Sequence, residues 1–269
     1  MAIAERLREI MRDAGLNGRS LAEAASWHES KSSRLLHAKT LPSDEDLRVW
    51  CQVCGALDQV DDLVSLSRTA ESMYVEWKRL HRTGLKQLQD SKVPLYESTR
   101  LHRVYCSQVV PGFLQTGAYA RAMLKMFGTF HNAPDDLEAA VASRMLRNNI
   151  LRRAGYRFKF LIEEQVLRHQ LGDPSVMREQ LDHLLEVTKL PSTSIGIIPV
   201  TTPRKLWALE AFNIFDDSLV QVELLTATVN VTQPSEIDLY IRGFADMAHM
   251  SVVGAPAKGI IQAAKQRFL

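Results

Sequence analysis

The sequence has no apolar run near the ~18 residues that a membrane-spanning helix needs. Its opening MAIAERLREI carries carboxylates where a secretory leader would carry its apolar segment. A cytoplasmic protein with no membrane contact is therefore expected. Cysteine is scarce. Cys51, Cys54 and Cys106 are an odd set of three, which excludes a fully paired disulfide scaffold and fits a reducing compartment. There is no Gly-rich phosphate loop, no Gly-x-Ser-x-Gly, no His-Glu-x-x-His and no paired spacing among the 8 histidines. These gaps remove the familiar local signatures of nucleotide, hydrolase and zinc chemistry. No catalysis, cofactor or metal is expected. Charge of one sign is lacking too. The formal net charge of +2 cannot by itself argue for a partner.

Among the residues that chemistry would use, Cys51 and Cys54 form a Cys-x-x-Cys, but no second pair follows to complete four zinc ligands. Both are expected on the buried side of a helix. His81 and His102 lie in basic stretches and are expected at the surface. Glu163 and Glu164 are neighbours after a strand, where successive side chains point to opposite faces, so they do not converge as an acid/base pair.

What is present is the balance of an ordinary folded protein, with 46% hydrophobic and 24% charged residues in 269. That length suggests two domains. Charge is unevenly spread: residues 1–40 hold seven Lys/Arg against five Asp/Glu, residues 41–62 one against six, and residues 63–103 eight against four. Any nucleic-acid contact must come from a local patch.

Residues 1–55 read as short helices. Ile3, Leu7, Ile10, Met11 and Ala14 follow helical spacing, and Gly15 and Gly18 end the run. Ser20 is the expected cap of a second helix, and a polar third spans about 29–38. Pro42-Ser43 opens a fourth, with Asp44, Glu45 and Asp46 at its positive dipole end. Residues 57–90 read as one long connecting helix. Further helices are expected through Tyr119, Met123 and Met126, from Pro134 to Ile150, from Asp173-Pro174 through Leu185, and around Ile237–Ala248. Strand signals occur only in the second half, in RFKFLIEE, TSIGIIPV, AFNIF and LVQVELL, the last two separated by Asp216-Asp217-Ser218. The fold class expected is an all-α N-terminal domain followed by a larger, helix-rich α+β domain, with boundaries 1–56, 57–90 and 91–269.

Two short helices with a tight turn between them and a polar second helix outline a helix-turn-helix. The segment SLAEAASWHESKSSRLLHAKTLPS resembles the lambda-repressor-like (XRE) type through Leu21-Ala22, Trp27, Ser33-Arg34 and Pro42-Ser43. It departs from that pattern at Leu36 and Ala38, where Glu and Gly are common, and at Ser26, a turn position that is frequently Gly. The resemblance implies that Glu29, Ser30, Ser33 and Arg34 face base edges in the major groove. Arg19, His28, Lys31, His37 and Lys39 are then expected near phosphates. The guanidinium fork of Arg34 matches guanine O6 and N7, and Glu29 suits cytosine N4. One such motif covers half an operator, so a homodimer on a two-fold double-stranded DNA site is expected.

Downstream, Val110-Pro111-Gly112-Phe113-Leu114-Gln115-Thr116 and Tyr119-Ala120-Arg121-Ala122 resemble the signature of the actinobacterial DUF5753 (Scr1-like) domain. That resemblance implies a transcription regulator whose second domain takes a small protein of the DUF397 type or a ligand, with an antitoxin-like role as the alternative. In physical terms Pro111-Gly112 fixes a turn, and Gln115 and Thr116 are placed to satisfy free helix amides. A groove around Phe113, Gln115 and Tyr119 is the candidate binding surface.

Overall fold

A computed structural model describes residues 2–64, 67, 74–76, 84–207 and 210–269. The chain separates into two compact units, Met1–Tyr74 and Val75–Leu269.

The first unit is helical. Helices α1 (Ala2–Asp13), α2 (Gly18–Ala24), α3 (Glu29–Leu36) and α4 (Asp44–Cys54) surround Leu7, Leu21, Leu47 and Trp50, all with no exposed surface. The Trp50 indole donates to the Leu7 carbonyl at 3.2 Å, so the largest core side chain also ties α4 to α1. Cys51 is buried and Cys54 half-buried against this core, on the inner side as expected. Burial pushes both thiols up, Cys54 to about 11, so both are neutral packing groups. Ser43 caps α4 in a reciprocal pair with Asp46. Ser20, however, is not the cap of α2. Asn17 is, its side chain accepting from the Arg19 and Ser20 amides, and Ser20 returns a bond to the Asn17 amide at 3.0 Å. The expectation failed because Asn17 and Ser20 both suit the cap, and Ser20 here fills the reciprocal third position.

The single connecting helix over 57–90 is replaced, among the described residues, by a 3-10 turn at Leu57–Gln59, helical residues 60–64, strand β1 (Tyr74–Glu76) and helix α5 (Leu85–Ser91). The rest of that expectation lies outside the described residues, as does His81. Gly84, at φ +99°, leaves the right-handed helical region just before α5. The α5 amides of Leu85 and Lys86 are taken by the Asp136 carboxylate, at 3.0 and 2.8 Å. A cap from so far along the chain leaves no local mark.

The second unit is a mixed sheet between helical layers. After α6 (Val93–Ser98) come β2 (Leu101–Cys106), α7 (Gly117–His131), α8 (Leu137–Asn148), β3 (Arg157–Glu163), α9 (Pro174–Val187) and β4 (Thr193–Ile198). The chain then continues through β5 (Phe212–Phe215), β6 (Leu219–Glu223), β7 (Ala227–Val231), α10 (Pro234–Met250) and α11 (Ala255–Lys265). The strand order is β1-β7-β6-β5-β2-β3-β4. β2, β3 and β4 pair in parallel through helical crossovers, while β2-β5, β5-β6 and β6-β7 are antiparallel. One face packs Val104, Phe158, Phe160, Ile162 and Ile197 against the helices that include α9 and α11. The other packs Tyr105, Leu161, Ile198 and Ile214 against Ile237, Phe244 and Met247 of α10.

Strand β2 therefore begins before the chain's midpoint, contrary to the expectation of strands only in the second half; β1, β7 and α11 were also not foreseen. In Leu-His-Arg-Val-Tyr-Cys the basic pair His102-Arg103 hides the alternation. His102 is not at the surface but 1% exposed. It stacks on Phe158, its register partner in β3, at 4.6 Å and 10°, with Tyr96, Phe113 and Phe215 around it. Neither ring nitrogen makes a well-formed hydrogen bond, although the Tyr96 and Thr99 carbonyls lie near the ring. Burial pushes the imidazole down to about 4, opposed by the Tyr96 and Thr99 carbonyls and by Asp216. Arg103 instead reaches the turn after β5, donating to the Asp216 carbonyl at 2.8 Å.

A neutral His102 makes stability depend on pH. Below its ordinary value of 6.5 the unfolded chain takes up a proton that the folded chain refuses until about 4. Stability contributed by this group is complete above pH 6.5 and falls as pH drops toward 4. Denaturant unfolding between pH 7 and 4.5 should show this loss, and His102→Phe should flatten the curve while leaving stability at pH 7 equal or higher. An unchanged pH slope in His102→Phe counts against it.

Candidate functional site

Helix α3 is the polar second helix of the pair α2–α3. Its inner side carries Ser32 and Leu35, 1% and 3% exposed. The Ser32 hydroxyl donates to the Gly18 carbonyl at 2.9 Å and so fixes α3 against the start of α2. Its outer side carries Ser30, Ser33, Arg34 and His37, all exposed and at i, i+3, i+4 and i+7, hence on one stripe, with exposed Glu29 beside it. His28 caps the helix through Nδ1, which accepts from the Ser30 amide at 3.2 Å. His37 Nδ1 lies 2.8 Å from the Ser33 carbonyl at the other end.

The expected base-facing residues Glu29, Ser30, Ser33 and Arg34 are thus brought together. Arg34 is exposed and makes no side-chain hydrogen bond among the described residues. Glu29 meets Arg19 at 3.2 Å, with both side chains mostly exposed. Such a pair contributes little and opens readily. Lys39 is exposed beyond α3. Lys31 does not join the stripe: its ammonium pairs with Asp46 of α4 and lies 4.2 Å from the Trp27 ring centre. Burial opposes ionisation of Asp46, but the Lys31 and Ser43 bonds outweigh it and hold the carboxyl below its ordinary range. Lys31 is thereby a brace between α3 and α4, and sequence spacing alone did not reveal that acceptor.

Both ends of α3 are bounded by left-handed residues. Ser26 (φ +58°) ends α2 and Ala38 (φ +53°) ends α3. The Trp27 amide bonds the Ala22 carbonyl and the Lys39 amide bonds the Arg34 carbonyl, each at 2.8 Å. These are the six-to-one closures that usually place glycine at the left-handed position.

In the second unit the segment 110–116 is satisfied internally. Thr116 caps α7, accepting from the Tyr119 amide at 3.3 Å. Gln115 does not cap; its amide donates to the Val110 carbonyl at 2.8 Å and its oxygen accepts from Arg144 at 2.6 Å. Gln180 of α9 accepts from the Thr116 amide and donates to the Leu114 carbonyl. Phe113 and Gln115 line a cavity of about 440 Å³ between α5, α7, α8 and the β2-β5-β6 part of the sheet. Tyr119 does not line it; it is buried behind the segment, its hydroxyl accepting from the Val110 amide at 3.2 Å. A Cβ on Gly112 would sit 3.3 Å from Arg147 Nη2, so glycine lets that guanidinium lie against the turn.

Glu163 and Glu164 turn to separate partners. Glu163 takes a two-pronged bond from Arg204 at 2.8 and 2.6 Å and one from the Tyr105 hydroxyl. Glu164 accepts from the Val200 amide and pairs with Arg168. Among the described residues no cluster suits a metal ion, and no helix is long and apolar enough to cross a membrane.

Residues 2–63 match the family model of a helix-turn-helix domain, and residues 96–262 match that of a domain of unknown function, DUF5753. No curated protein matches the chain.

The left-handed turns are testable. A non-glycine residue there costs ~1–2 kcal/mol, less the ~0.5–1 kcal/mol of extra chain entropy that glycine brings. Ser26→Gly and Ala38→Gly should each raise stability by roughly 0.5–1 kcal/mol in denaturant unfolding of the full chain. A loss of stability in both would show that the turns carry no such strain.

Proposed function

Since the chain belongs to the DUF5753 family and carries a helix-turn-helix ahead of that domain, we propose that it is a sequence-specific, DNA-binding transcriptional regulator of the lambda-repressor-like (XRE), actinobacterial type. The observation that carries this reading is the outward stripe of α3. Ser30, Ser33, Arg34 and His37 stand together, exposed, on a helix held from behind by Ser32 and Leu35. Arg34 and Glu29 read bases, with Ser30 and Ser33 beside them. Arg19, His28, His37 and Lys39 contact phosphates, which fix register and give salt dependence without specificity. Lys31 contacts phosphate as well, from a side chain that braces α3 against α4. The protein works as a homodimer on a two-fold site, because one reading helix covers half an operator. It is a cytoplasmic protein, bound to the nucleoid when it holds DNA, and it does no catalysis. The larger unit controls operator affinity through a small protein partner or a ligand.

An antitoxin-like role, neutralising a small DUF397-type protein, is the second reading. Met126, Phe127 and Phe130 favour it, forming an exposed apolar stripe on α7, with Phe130 60% exposed. Copurification of a small protein that is lost in Phe130→Asp would move it to first place.

The test is binding of wild type and Arg34→Ala to the region upstream of the chain's own gene at two salt concentrations. Wild type should bind specifically. Arg34→Ala should lose ~1–3 kcal/mol of discrimination, about 5- to 150-fold, and keep only salt-sensitive nonspecific binding. Equal affinity of the two for operator and random DNA would overturn the base-reading role.

A further inference from the structure

The cavity behind the 110–116 segment has an unusual charge balance. Three cations border it, Lys92, Arg144 and Arg147, against one carboxylate, Glu223. That carboxylate is engaged by Lys92 at 3.0 Å. Each holds the other in its charged form: burial pushes the ammonium down, but Glu223 outweighs it, and the Lys92 charge lowers the carboxyl. The Glu223 charge also reaches both arginines, but without direct contact. Among the described residues neither forms an ion pair, and both are held by neutral amides. Gln89, 3% exposed, accepts from Arg144 Nε at 3.0 Å and from Arg147 Nη1 at 3.1 Å through the same oxygen. Gln115 accepts from Arg144 Nη1 at 2.6 Å. Arg147 Nε is buried with no partner. Its guanidinium lies 5.0 and 5.2 Å from the Tyr96 and Phe113 ring centres, which orient the plane without neutralising the charge.

Two guanidiniums side by side on one helix face repel each other. Burial and Arg147 together push Arg144 down to about 10. Both side chains are half-buried, and charges withdrawn from water are ordinarily paired. Here Arg147 Nε is buried without an acceptor among the described residues. The rest of the wall is largely apolar, with Leu85, Leu88, Val104, Met123, Leu124 and Phe127. A cavity of about 440 Å³ falls in the ~300–1,000 Å³ range of small-molecule sites.

We propose that this cavity binds a small amphipathic carboxylate, its anionic head on Arg144 and Arg147 and its aliphatic or aromatic body against Leu88, Met123 and Phe127. Gln89 and Gln115 preset the two forks, so the head meets donors already in place. The same arrangement discriminates against neutral ligands of the same shape, which leave both guanidiniums unpaired. As the effector site of the regulator the cavity rests on the reading above; as a binding site it stands apart from it.

The test uses the full chain without DNA, so failure to bind an operator does not touch it. Decanoate and 4-phenylbutyrate, each beside its methyl ester, are titrated by calorimetry. At least one acid should bind saturably at one site per chain, with its ester at least ~10-fold weaker. The double variant Arg144→Gln, Arg147→Gln should lose roughly tenfold per arginine in acid affinity, with ester affinity little changed. Absence of saturable binding by both acids, equal affinity for acid and ester, or wild-type affinity in a folded double variant would each overturn the proposal. If the double variant does not fold by near-ultraviolet circular dichroism, the acid–ester comparison on wild type decides.

Discussion

Strand β2 is hydrogen-bonded on both edges, to β3 in parallel and to β5 antiparallel, and the second unit is organised about that double pairing. It joins the crossover half of the sheet, where helices must intervene between strands, to the hairpin half, where they need not. Its side chains serve both cores, Val104 on one face and Tyr105 on the other. The segment that follows it runs directly into Val110–Thr116, so the position of β2 also sets where the cavity forms and which groups look into it.

Much of the smaller unit was legible in the sequence because its signals are local. Leu7, Leu21, Leu35, Leu47 and Trp50 sit at helical spacing, and Ser43 with Asp46 announces its own cap. The polar stripe of α3 followed from the same periodicity. The larger unit was legible in class, and in four of its strands, but not at its centre. β2 was hidden because a histidine and an arginine, side chains ordinarily found at the surface, stand within it. His102 is tolerated inside since it is neutral and stacked among aromatic rings. The expected connecting helix failed for a related reason: the Asp136 cap on α5 and the backbone angle at Gly84 belong to tertiary structure.

The candidate sites divide along the same line. Exposure of Glu29, Ser30, Ser33 and Arg34 is a property of one helix, and one helix of sequence was enough to foresee it. The pairing of Lys31 with Asp46 was not legible, because that acceptor lies on another helix. The cavity was foreseen only through Phe113 and Gln115. Arg144 and Arg147, which give it its chemistry, lie on α8 and meet the segment only through folding; nothing in their own neighbourhood distinguishes them from solvated helix charges.

The two left-handed closures around α3 also shape how the first unit moves. α1 and α4 are closed by Gly15 and Gly55, which adopt positive φ without penalty, whereas α3 lies between Ser26 and Ala38, which do not. Opening α3 therefore relieves strain that opening α1 or α4 does not. Of α1, α3 and α4, α3 is the one whose opening this strain assists. The same strain lowers the cost of exposing the α3 amides to exchanging solvent.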